Sequence, residues 1–365
     1  MRVKLEDVCE RGTSSLMQKD IVDKNGKYPV YGASGRIGSI ETYQQEHQTV
    51  AVVKDGAGIG RTMLLPEKSS VIGTMQYLIP KNCIESEYLY YVVKYMHLEK
   101  YFSGATIPHI YFRDYKTEEF NLHDKTEQRE IVSTLKRIEA IISNRQEQLT
   151  KLDELVKARF VEMFGDPKLN PYRFPCNSLS TYITFLTSGS RGWSQYFTDS
   201  GEYFITIKNV KNCKITLQDV QYVAPPDNAE AKRTKVQKND LLISITADLG
   251  RTGVVTEEIA NHGAYINQHL TCIRLKDEQV NPLYVAYYME SDAGKEQFTA
   301  KNQSAVKAGL NFNAINSLKL MVPPLSLQNQ FADFVAEVDK SKVEVQKALD
   351  QTQLLFDSLM QQYFG

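Results

Sequence analysis

Basic and amide side chains gather in glycine-bearing segments in each half of the sequence. SGR (34–36) and GIGRT (58–62) lie in the first half, and SGSRGW (188–193), DLGRT (248–252) and INQHL (266–270) lie in the second. In the major groove of DNA, Arg pairs with guanine, Asn or Gln pairs with adenine, and Lys binds phosphate. The pattern fits DNA readout, and it also fits an ordinary polar loop surface.

The candidate DNA-binding residues are basic or polar, and most belong to these segments. They are Ser34, Arg36, Lys54, Arg61, His109 and Arg113 in the first half, and Ser188, Ser190, Arg191, Trp193, Lys208, Lys232, Arg233, Lys235, Arg251, Asn267, Gln268, Lys301 and Lys307 in the second. Three aromatic positions have a competing structural interpretation. A sole tryptophan such as Trp193 is more often a core residue, and His109 and His269 are more often structural histidines.

Motifs for bond-making chemistry are missing from the sequence. An adenine methyltransferase needs a D/N-P-P-Y/F tetrapeptide to hold the flipped base, and the nearest strings, NPLY (281–284) and VPPL (322–325), each lack part of it. No GxxxxGK[ST] loop, HExxH, GxSxG or CxxC pair occurs. We therefore expect no catalytic residue, no cofactor and no metal site, although nuclease carboxylates are diffuse in sequence and harder to exclude.

The composition is that of a protein that folds in water into two or more domains. The chain has 365 residues, 42% of them apolar and 24% charged, with a formal net charge of −1. Because this charge is near zero, DNA binding would have to come from local basic patches. No apolar run of about 18 residues is present to span a membrane. The N-terminus also lacks the apolar core of a signal peptide, and the five scattered cysteines indicate reduced thiols, so we expect a cytoplasmic protein.

An internal repeat organises the chain. At a fixed shift of 200 residues, the following pairs match: Phe112 and Phe312, Gln128 and Gln328, Gln146 and Gln346, Leu149 and Leu349, Leu155 and Leu355, Phe164 and Phe364, and Gly165 and Gly365. Upstream the match needs gaps, yet GIGRT and DLGRT lie in equivalent places. Each half is therefore a variable head followed by a similar tail.

The two tails predict long helices with heptad seams. Neither glycine nor proline interrupts 126–164 or 326–364, and Thr126 and Ser326 are N-cap candidates. Apolar residues recur at alternating spacings of four and three, which is typical of a coiled coil. The seam residues are Ile131, Leu135, Ile138, Ile142, Leu149, Leu152 and Val156 in the first helix, and Val335, Val338, Val345, Leu349, Phe356 and Leu359 in the second. Each helix could pack on its own head, but two matched seams favour an antiparallel pairing with each other.

The heads predict short strands followed by a helix. β-type segments punctuated by glycine run through 28–80 and 201–275, and helical spacing follows over 86–102 and around PLYVAYYMES (282–291). The expected fold is α+β: two globular domains joined by two long helices that form an antiparallel coiled coil, with a pseudo-two-fold internal repeat. The expected boundaries are 1–122, 123–165, 166–322 and 323–365.

Over its whole length the chain resembles the specificity (S) subunit of type I restriction-modification systems, the HsdS family. The strings that carry the resemblance are PPLSLQ (323–328), FGDP (164–167), SGSRGW (188–193), and KRTKVQKNDLLISITADLGRTGVV (232–255) with YINQHL (265–270). The first helix entry departs from the pattern, because NLHDKTEQ (121–128) replaces the usual Pro-Pro-Leu turn.

The resemblance implies that each head is a target-recognition domain that reads half of a split, asymmetric site in double-stranded DNA. It implies two methyltransferase (M) subunits and an ATP-dependent restriction (R) subunit as partners, which carry out adenine methylation and restriction. The chain itself would be non-catalytic. A modification-only or type II-like specificity subunit without a nuclease partner fits the same sequence. A coiled-coil adaptor without DNA function would require both heads to bind protein.

Overall fold

Two compact units make up the protein. The structure is a computed structural model that describes residues 1–21, 26–104, 108–302 and 309–365. One unit comprises Met1–Gln148 with Val345–Gly365, and the other comprises Leu149–Glu344. Each unit therefore contains one head and a part of both long helices.

The first unit is built from short strands and helices. In chain order they are β1 (Arg2–Lys4), α1 (Leu5–Val8), β2 (Cys9–Thr13), β3 (Tyr28–Gly32), β4 (Gly35–Ile40), β5 (Thr49–Val53), β6 (Thr62–Leu65), β7 (Ser70–Val71), β8 (Met75–Pro80), α2 (Ser86–Tyr95), α3 (Phe112–Tyr115), β9 (Glu119–Asn121) and the start of α4 (Lys125–Phe164). The main sheet has the order β2-β8-β5-β6, and β4-β3-β7 and β1-β9 form two smaller sheets.

The sheet and α2 enclose the main core of this unit. Every residue of β5, the apolar run TVAVV, is buried, and Val50 lies opposite Leu64 on β6 and Leu78 on β8. The helix predicted over 86–102 is shorter than expected. It ends at Tyr95, because His97 adopts a left-handed backbone conformation (φ 50°), and a separate 3₁₀ turn follows over Leu98–Tyr101.

The second unit repeats this plan with more elements. They are β10 (Cys176–Ser178), β11 (Ile183–Ser188), β12 (Phe197–Thr198), β13 (Glu202–Ile205), β14 (Val210–Lys211), β15 (Lys214–Ile215), β16 (Gln221–Val223), α5 (Ala229–Thr234), β17 (Leu241–Ser244), β18 (Thr252–Val254), α6 (Glu257–His262), β19 (Ala264–Ile266), β20 (Leu270–Leu275), α7 (Pro282–Glu290), α8 (Asp292–Lys301), α9 (Phe312–Asn316), β21 (Lys319–Met321) and the start of α10 (Leu325–Phe364). Its sheets have the orders β11-β20-β17-β18, β12-β16-β13-β19, β14-β15 and β10-β21.

The sheet orders show that the repeat extends through the heads. The four-stranded sheet β2-β8-β5-β6 has the same antiparallel order as β11-β20-β17-β18, and the pair β1-β9 corresponds to β10-β21. A parallel pair also recurs in each unit, β3 with β7 and β13 with β19. The α+β class and the internal repeat predicted from the sequence are thus confirmed.

The long helices α4 and α10 each span 40 residues and match the predicted bounds within one residue. The predicted N-caps are wrong. Asp124 caps α4, since its Oδ1 accepts from the backbone N–H groups of Thr126 (2.8 Å) and Glu127 (2.9 Å). Both helices also begin with backbone bonds to the residue before them: the carbonyl of Asp124 accepts from the N–H of Gln128 (2.8 Å), and the carbonyl of Pro324 accepts from the N–H groups of Leu327 (2.9 Å) and Gln328 (3.2 Å). Thr126 and Ser326 therefore lie inside the first turns.

Within each unit the two helices run antiparallel. In the first unit Arg145 of α4 donates to the carbonyl of Ala348 and the hydroxyl of Thr352, and in the second unit Lys342 of α10 pairs with Asp153 of α4. The predicted seam residues face inward. Ile131, Leu135, Ile138, Val156, Val335, Val338 and Phe356 are buried, and Ile142, Leu149, Leu152, Val345, Leu349 and Leu359 are half-buried. The helices also pack on the heads. The apolar seams are therefore buried both against the other long helix and against the heads, so the two packing arrangements considered from the sequence occur together.

The ends of the long helices are exchanged between the repeats. Phe164, at the end of α4, packs against Tyr284 of the second unit with ring centroids 4.8 Å apart. Phe364, at the end of α10, packs against Tyr88 of the first unit at 5.2 Å. Both phenylalanines are fully buried. Each head therefore completes its core with the last turn of the helix that belongs to the other repeat.

This exchange predicts which unit each phenylalanine stabilises. We expect Phe164→Ala to destabilise the second unit and Phe364→Ala to destabilise the first, each by about 3–5 kcal/mol, because a large buried ring leaves a cavity. Amide hydrogen exchange of the intact chain measures this, with faster exchange in α7 for the first variant and in α2 for the second. Each variant is the control for the other, and loosening of the opposite unit would contradict the exchanged packing.

Candidate nucleic-acid interface

Three segments of the first unit converge on one surface. They are the turn between β3 and β4, the glycine-rich loop 54–61 between β5 and β6, and the segment 108–113. The guanidinium of Arg61 donates to the carbonyl of Ala33 (2.7 Å). The backbone N–H of Gly56 donates to Pro108 O (2.9 Å), and the N–H of Ile110 donates to Lys54 O (3.0 Å). The structure thus brings most of the candidate residues of the first half together.

The side chains on this surface are basic, but a carboxylate lies among them. Asp55 pairs with both Lys54 and His109. The guanidinium of Arg113 lies over the exposed ring of Tyr111, 4.6 Å from its centroid. Sequence reasoning missed Tyr111 and Asp55, although each is within two residues of a candidate. The exposed side chains available to a ligand are Ser34, Arg36, Arg61 and Arg113, together with Tyr111.

Three segments of the second unit converge in the same way: 188–192, the loop 245–251 between β17 and β18, and 266–269. The backbone N–H of Ser190 donates to Ile266 O (2.9 Å), and the N–H of Gln268 returns to Ser190 O (3.0 Å). The N–H of Ile245 donates to His269 O (3.0 Å). These backbone bonds fix the relative positions of the three loops.

The side chains of these loops form a polar cluster. Arg191 donates to the side chain of Gln268, and Arg233 donates to Ser188 O (3.0 Å). His269 is a structural residue here, since its Nδ1 bonds the hydroxyl of Thr246 (2.7 Å). The candidates that the structure brings together in this unit are Ser188, Arg191, Arg233, Arg251, Asn267 and Gln268.

Two candidates of the second unit are buried. Trp193 is 4% exposed, stacks near Phe204, and donates its indole N–H to Glu230 (3.2 Å). Ser190 is 2% exposed and bonds the hydroxyl of Thr234 (3.1 Å). Their side chains support the loops from beneath and are not available to DNA, which corrects their assignment as contact residues.

The remaining lysines lie on other elements. Lys208 is exposed on the 3₁₀ turn Ile207–Asn209, Lys232 and Lys235 are exposed on or just after α5, and Lys301 is half-buried at the end of α8. Lys307 falls outside the described residues.

The two glycine loops are built alike. Gly60 and Gly250 have φ angles of 79° and 80°, and their N–H groups donate back to Val53 O (2.9 Å) and Ser244 O (3.0 Å). Side chains could not fit at either position, because a Cβ would lie 2.6 Å from the backbone of Glu99 or 2.3 Å from the ring of Phe298. Arg61 and Arg251 follow these glycines, so the same turn presents an arginine in each unit.

Carboxylates partly neutralise several of the basic candidate residues, on these surfaces and beside them. Besides the Lys54–Asp55 pair, Arg251 pairs with Asp248, and Lys235 with Glu202 at 2.6 Å. The hydrogen bond to Glu202 raises the pKa of Lys235. These pairs are half-exposed, so each contributes about 1 kcal/mol or less and phosphate can compete for the cation.

Other kinds of site find no support in the part of the chain that the structure describes. It contains no group of three or more His, Cys, Asp or Glu side chains placed to hold a metal ion. Cys9, Cys213 and Cys272 are buried free thiols, and burial raises the pKa of Cys9 to about 12, so it is a poor nucleophile. Every described helix is too short or too polar to span a bilayer.

Comparison with known proteins identifies this repeated architecture. The sequence matches the family model of the type I restriction modification DNA specificity domain over residues 1–153 and again over 194–352. The chain belongs to this specificity family. The predicted resemblance is therefore confirmed, and the family match covers parts of both heads and both long helices.

Relatives of this specificity chain are distant in sequence. It is 21% identical over 170 residues to the specificity subunit of the Escherichia coli type I restriction enzyme EcoBI, which covers 45% of this chain and only 35% of that protein. It is 19% identical over 322 residues to the MjaVIII specificity subunit of Methanocaldococcus jannaschii, covering 82% and 76% of the two chains. The S subunit from M. genitalium shares the fold, with a TM-score of 0.61 at 16% identity over 100% of this chain and 96% of that one.

The ion pairs predict that removing a carboxylate strengthens non-specific DNA binding. In Glu202→Gln, Lys235 loses its partner, so we expect a few-fold higher affinity at low salt and a salt dependence steeper by about one phosphate contact. Fluorescence titration of a random duplex at several salt concentrations measures both. The matched control is Glu257→Gln, which makes the same charge change beside Lys238 (2.7 Å) on the same unit. Equal gains in both variants would exclude Lys235 from the interface.

Proposed function

We propose that this specificity chain reads a bipartite, asymmetric site in double-stranded DNA, with one half-site for each unit. The observation that carries the proposal is the duplicated loop surface, in which the same glycine turn presents Arg61 in one unit and Arg251 in the other. Because the surrounding residues differ, with Ser34, Arg36 and Arg113 in one and Arg191, Asn267 and Gln268 in the other, the half-sites differ in sequence. The adaptor alternative does not account for two basic loop surfaces.

We further propose that the chain is non-catalytic and works in the cytoplasm within a complex. Two methyltransferase subunits would methylate adenine at the site, and an ATP-dependent restriction subunit would cleave DNA. The names of the relatives, specificity subunits of type I restriction enzymes, support these partners. A modification-only or type II-like complex without a nuclease remains the second candidate. In either complex, 1–122 and 166–322 would be the target-recognition domains, and 123–165 and 323–365 the helices that join them.

The direct test is to assemble the chain with a methyltransferase subunit and map N6-methyladenine on a genomic DNA. We expect a single bipartite motif with a fixed spacer, and binding that is weak and steeply salt-dependent for the chain alone but stronger in the complex. DNA affinity that does not depend on salt concentration, or a methylated motif without a spacer, would contradict the proposal. Adding a nuclease subunit with ATP then separates the two candidate complexes, because only a restriction complex cleaves unmethylated DNA.

The two units should be separable by mutation. We expect Arg36→Ala or Arg61→Ala to relax one half-site only, and Arg191→Ala or Arg251→Ala to relax only the other. Loss of a base-edge contact costs about 1–3 kcal/mol at one base position, whereas loss of a phosphate contact weakens all sequences alike. Methylome mapping of each variant in the complex distinguishes these results. If the variants of either unit are folded and lose sequence preference equally at both half-sites, the two units do not recognise their half-sites independently.

A further inference from the structure

A buried glutamine lies at the point where the first unit joins its long helix. Gln128, in the first turn of α4, is fully buried. Its Nε2 donates to His123 O (2.9 Å) and Cys83 O (3.0 Å), and its Oε1 accepts from the backbone N–H of Glu85 (2.9 Å). One side chain thus connects α4 to two other segments. It bonds the segment between β9 and α4, at His123, and the N-terminus of α2, for which Glu85 is the N-cap residue.

The second unit contains the same joint 200 residues later. Gln328, in the first turn of α10, is also fully buried. Its Nε2 donates to Pro323 O (2.7 Å), and its Oε1 accepts from the backbone N–H of Asn281 (2.9 Å), the N-cap residue of α7. The two amides therefore make the same pair of connections.

The residue after each glutamine strengthens the correspondence. Arg129 bonds the carboxylate of Glu85 (3.0 Å), and Asn329 accepts from the side chain of Asn281 (2.9 Å). In both units the long helix contacts the N-cap residue of the head helix twice, once through the glutamine and once through its neighbour.

The tyrosine three residues after each N-cap extends the joint. Tyr88 donates to Asn121 O (2.8 Å), and Tyr284 donates to Met321 O (2.7 Å). These carbonyls belong to β9 and β21, the strands that lead into the long helices. The head helix, the last strand and the long helix are thus connected by directed hydrogen bonds in both units.

The turn that enters the helix is not what the two joints share. The first reads NLHDKTEQ and is capped by the side chain of Asp124, whereas the second reads VPPLSLQ and has Pro324, which carries no capping side chain, at the corresponding position. In both, the backbone carbonyl at this position accepts from the glutamine N–H (2.8 and 3.2 Å). The glutamine network is the same despite these different turns. A requirement for helix initiation alone therefore does not explain the glutamine.

A buried amide side chain constrains the orientation of its neighbours as well as filling space. An apolar side chain of the same length would fill the space in several orientations, whereas an amide with its donors and acceptor satisfied permits one direction of approach. Buried polar groups of this kind can specify a unique arrangement of helices at the expense of stability. At this position the hydrogen-bonded partners are the long helix, the segment before it and the N-terminus of the head helix.

We propose that Gln128 and Gln328 are positioning residues that fix each reading head on its helix and thereby set the spacer between the half-sites. This inference rests on the proposed function. One base-pair step is about 3.4 Å along the helix axis, so a small rotation at a joint is enough to move a head by one step. Helix length alone would then not define the spacer, since the joint sets where each head meets the DNA.

The test uses Gln128→Met in the complex with methyltransferase subunits, because Met has similar length but forms no directed hydrogen bonds. Methylome mapping should show unchanged half-site sequences, since the loops are untouched. Methylation at sites whose spacer is one base pair shorter or longer should rise by about tenfold relative to wild type, as expected when a buried hydrogen-bonded group is released. Gln328→Met tests the same claim in the second unit, and also covers the case in which the first variant does not fold.

The matched control is Tyr115→Phe. Tyr115 is fully buried and accepts a hydrogen bond from Gln76 within the first head, so this variant also loses a buried hydrogen bond but leaves the joint intact. It should lower the thermal stability without broadening the spacer. This comparison separates a positioning role from a merely stabilising one.

The possible outcomes distinguish this inference from the function on which it rests. A wild-type complex that methylates no bipartite motif would overturn both. A bipartite motif in wild type together with an unchanged spacer in folded Gln128→Met and Gln328→Met would overturn the joint alone. Equal broadening by Tyr115→Phe would also overturn it, because general loosening of a head would then suffice.

Discussion

The structure depends on the burial of one apolar stripe along each long helix. The apolar seam of a 40-residue helix is too long to be buried entirely against its own head. The first half of α4 therefore packs against its own head and the end of α10. The second half of α4 packs against the start of α10 and the head of the other repeat. The aromatic contacts of Phe164 with Tyr284 and of Phe364 with Tyr88 follow from this constraint. The core of each head therefore includes a residue from the long helix of the other repeat, so the duplication is part of how each head is stabilised.

Polar side chains within the seam limit how the helices can pair. Arg145 reaches a backbone carbonyl and a hydroxyl of α10, and Lys342 reaches Asp153 of α4. Such contacts stabilise less than leucines would, but they are satisfied in one register, whereas a purely apolar seam could slip by a heptad. Gln128 and Gln328 make similarly directed hydrogen bonds where each long helix meets its head. Directed hydrogen bonds therefore occur at the places where sliding or rotation would change the geometry.

The sequence predicts those features that depend on local pattern. Heptad spacing locates both long helices within a residue, and β-type segments punctuated by glycine locate the central strands β5 and β17. Two predictions of where helices begin and end were wrong: Asp124, not Thr126, caps α4, and the helix predicted to residue 102 ends at Tyr95 before the left-handed His97. Burial of Trp193 against Phe204 required tertiary contacts. The Lys235–Glu202 pair joins residues 33 positions apart and has no local signal, whereas Asp55 and Asp248 stand beside the candidates they neutralise.

Under the proposed function, these half-exposed carboxylates bear on how a nearly neutral chain would discriminate between DNA sequences. When a phosphate replaces Glu202 or Asp248 as the partner of a cation, one ion pair is exchanged for another and the net gain in free energy is small. Non-specific DNA offers only this exchange. In the proposed half-sites, a correct sequence would also offer base edges to the arginine and amide groups of the loops, and these contacts would add binding free energy that a random sequence does not provide. The partial neutralisation would therefore lower the affinity for all DNA while leaving the difference in affinity between correct and incorrect sites intact, and that difference is what sequence-specific recognition requires.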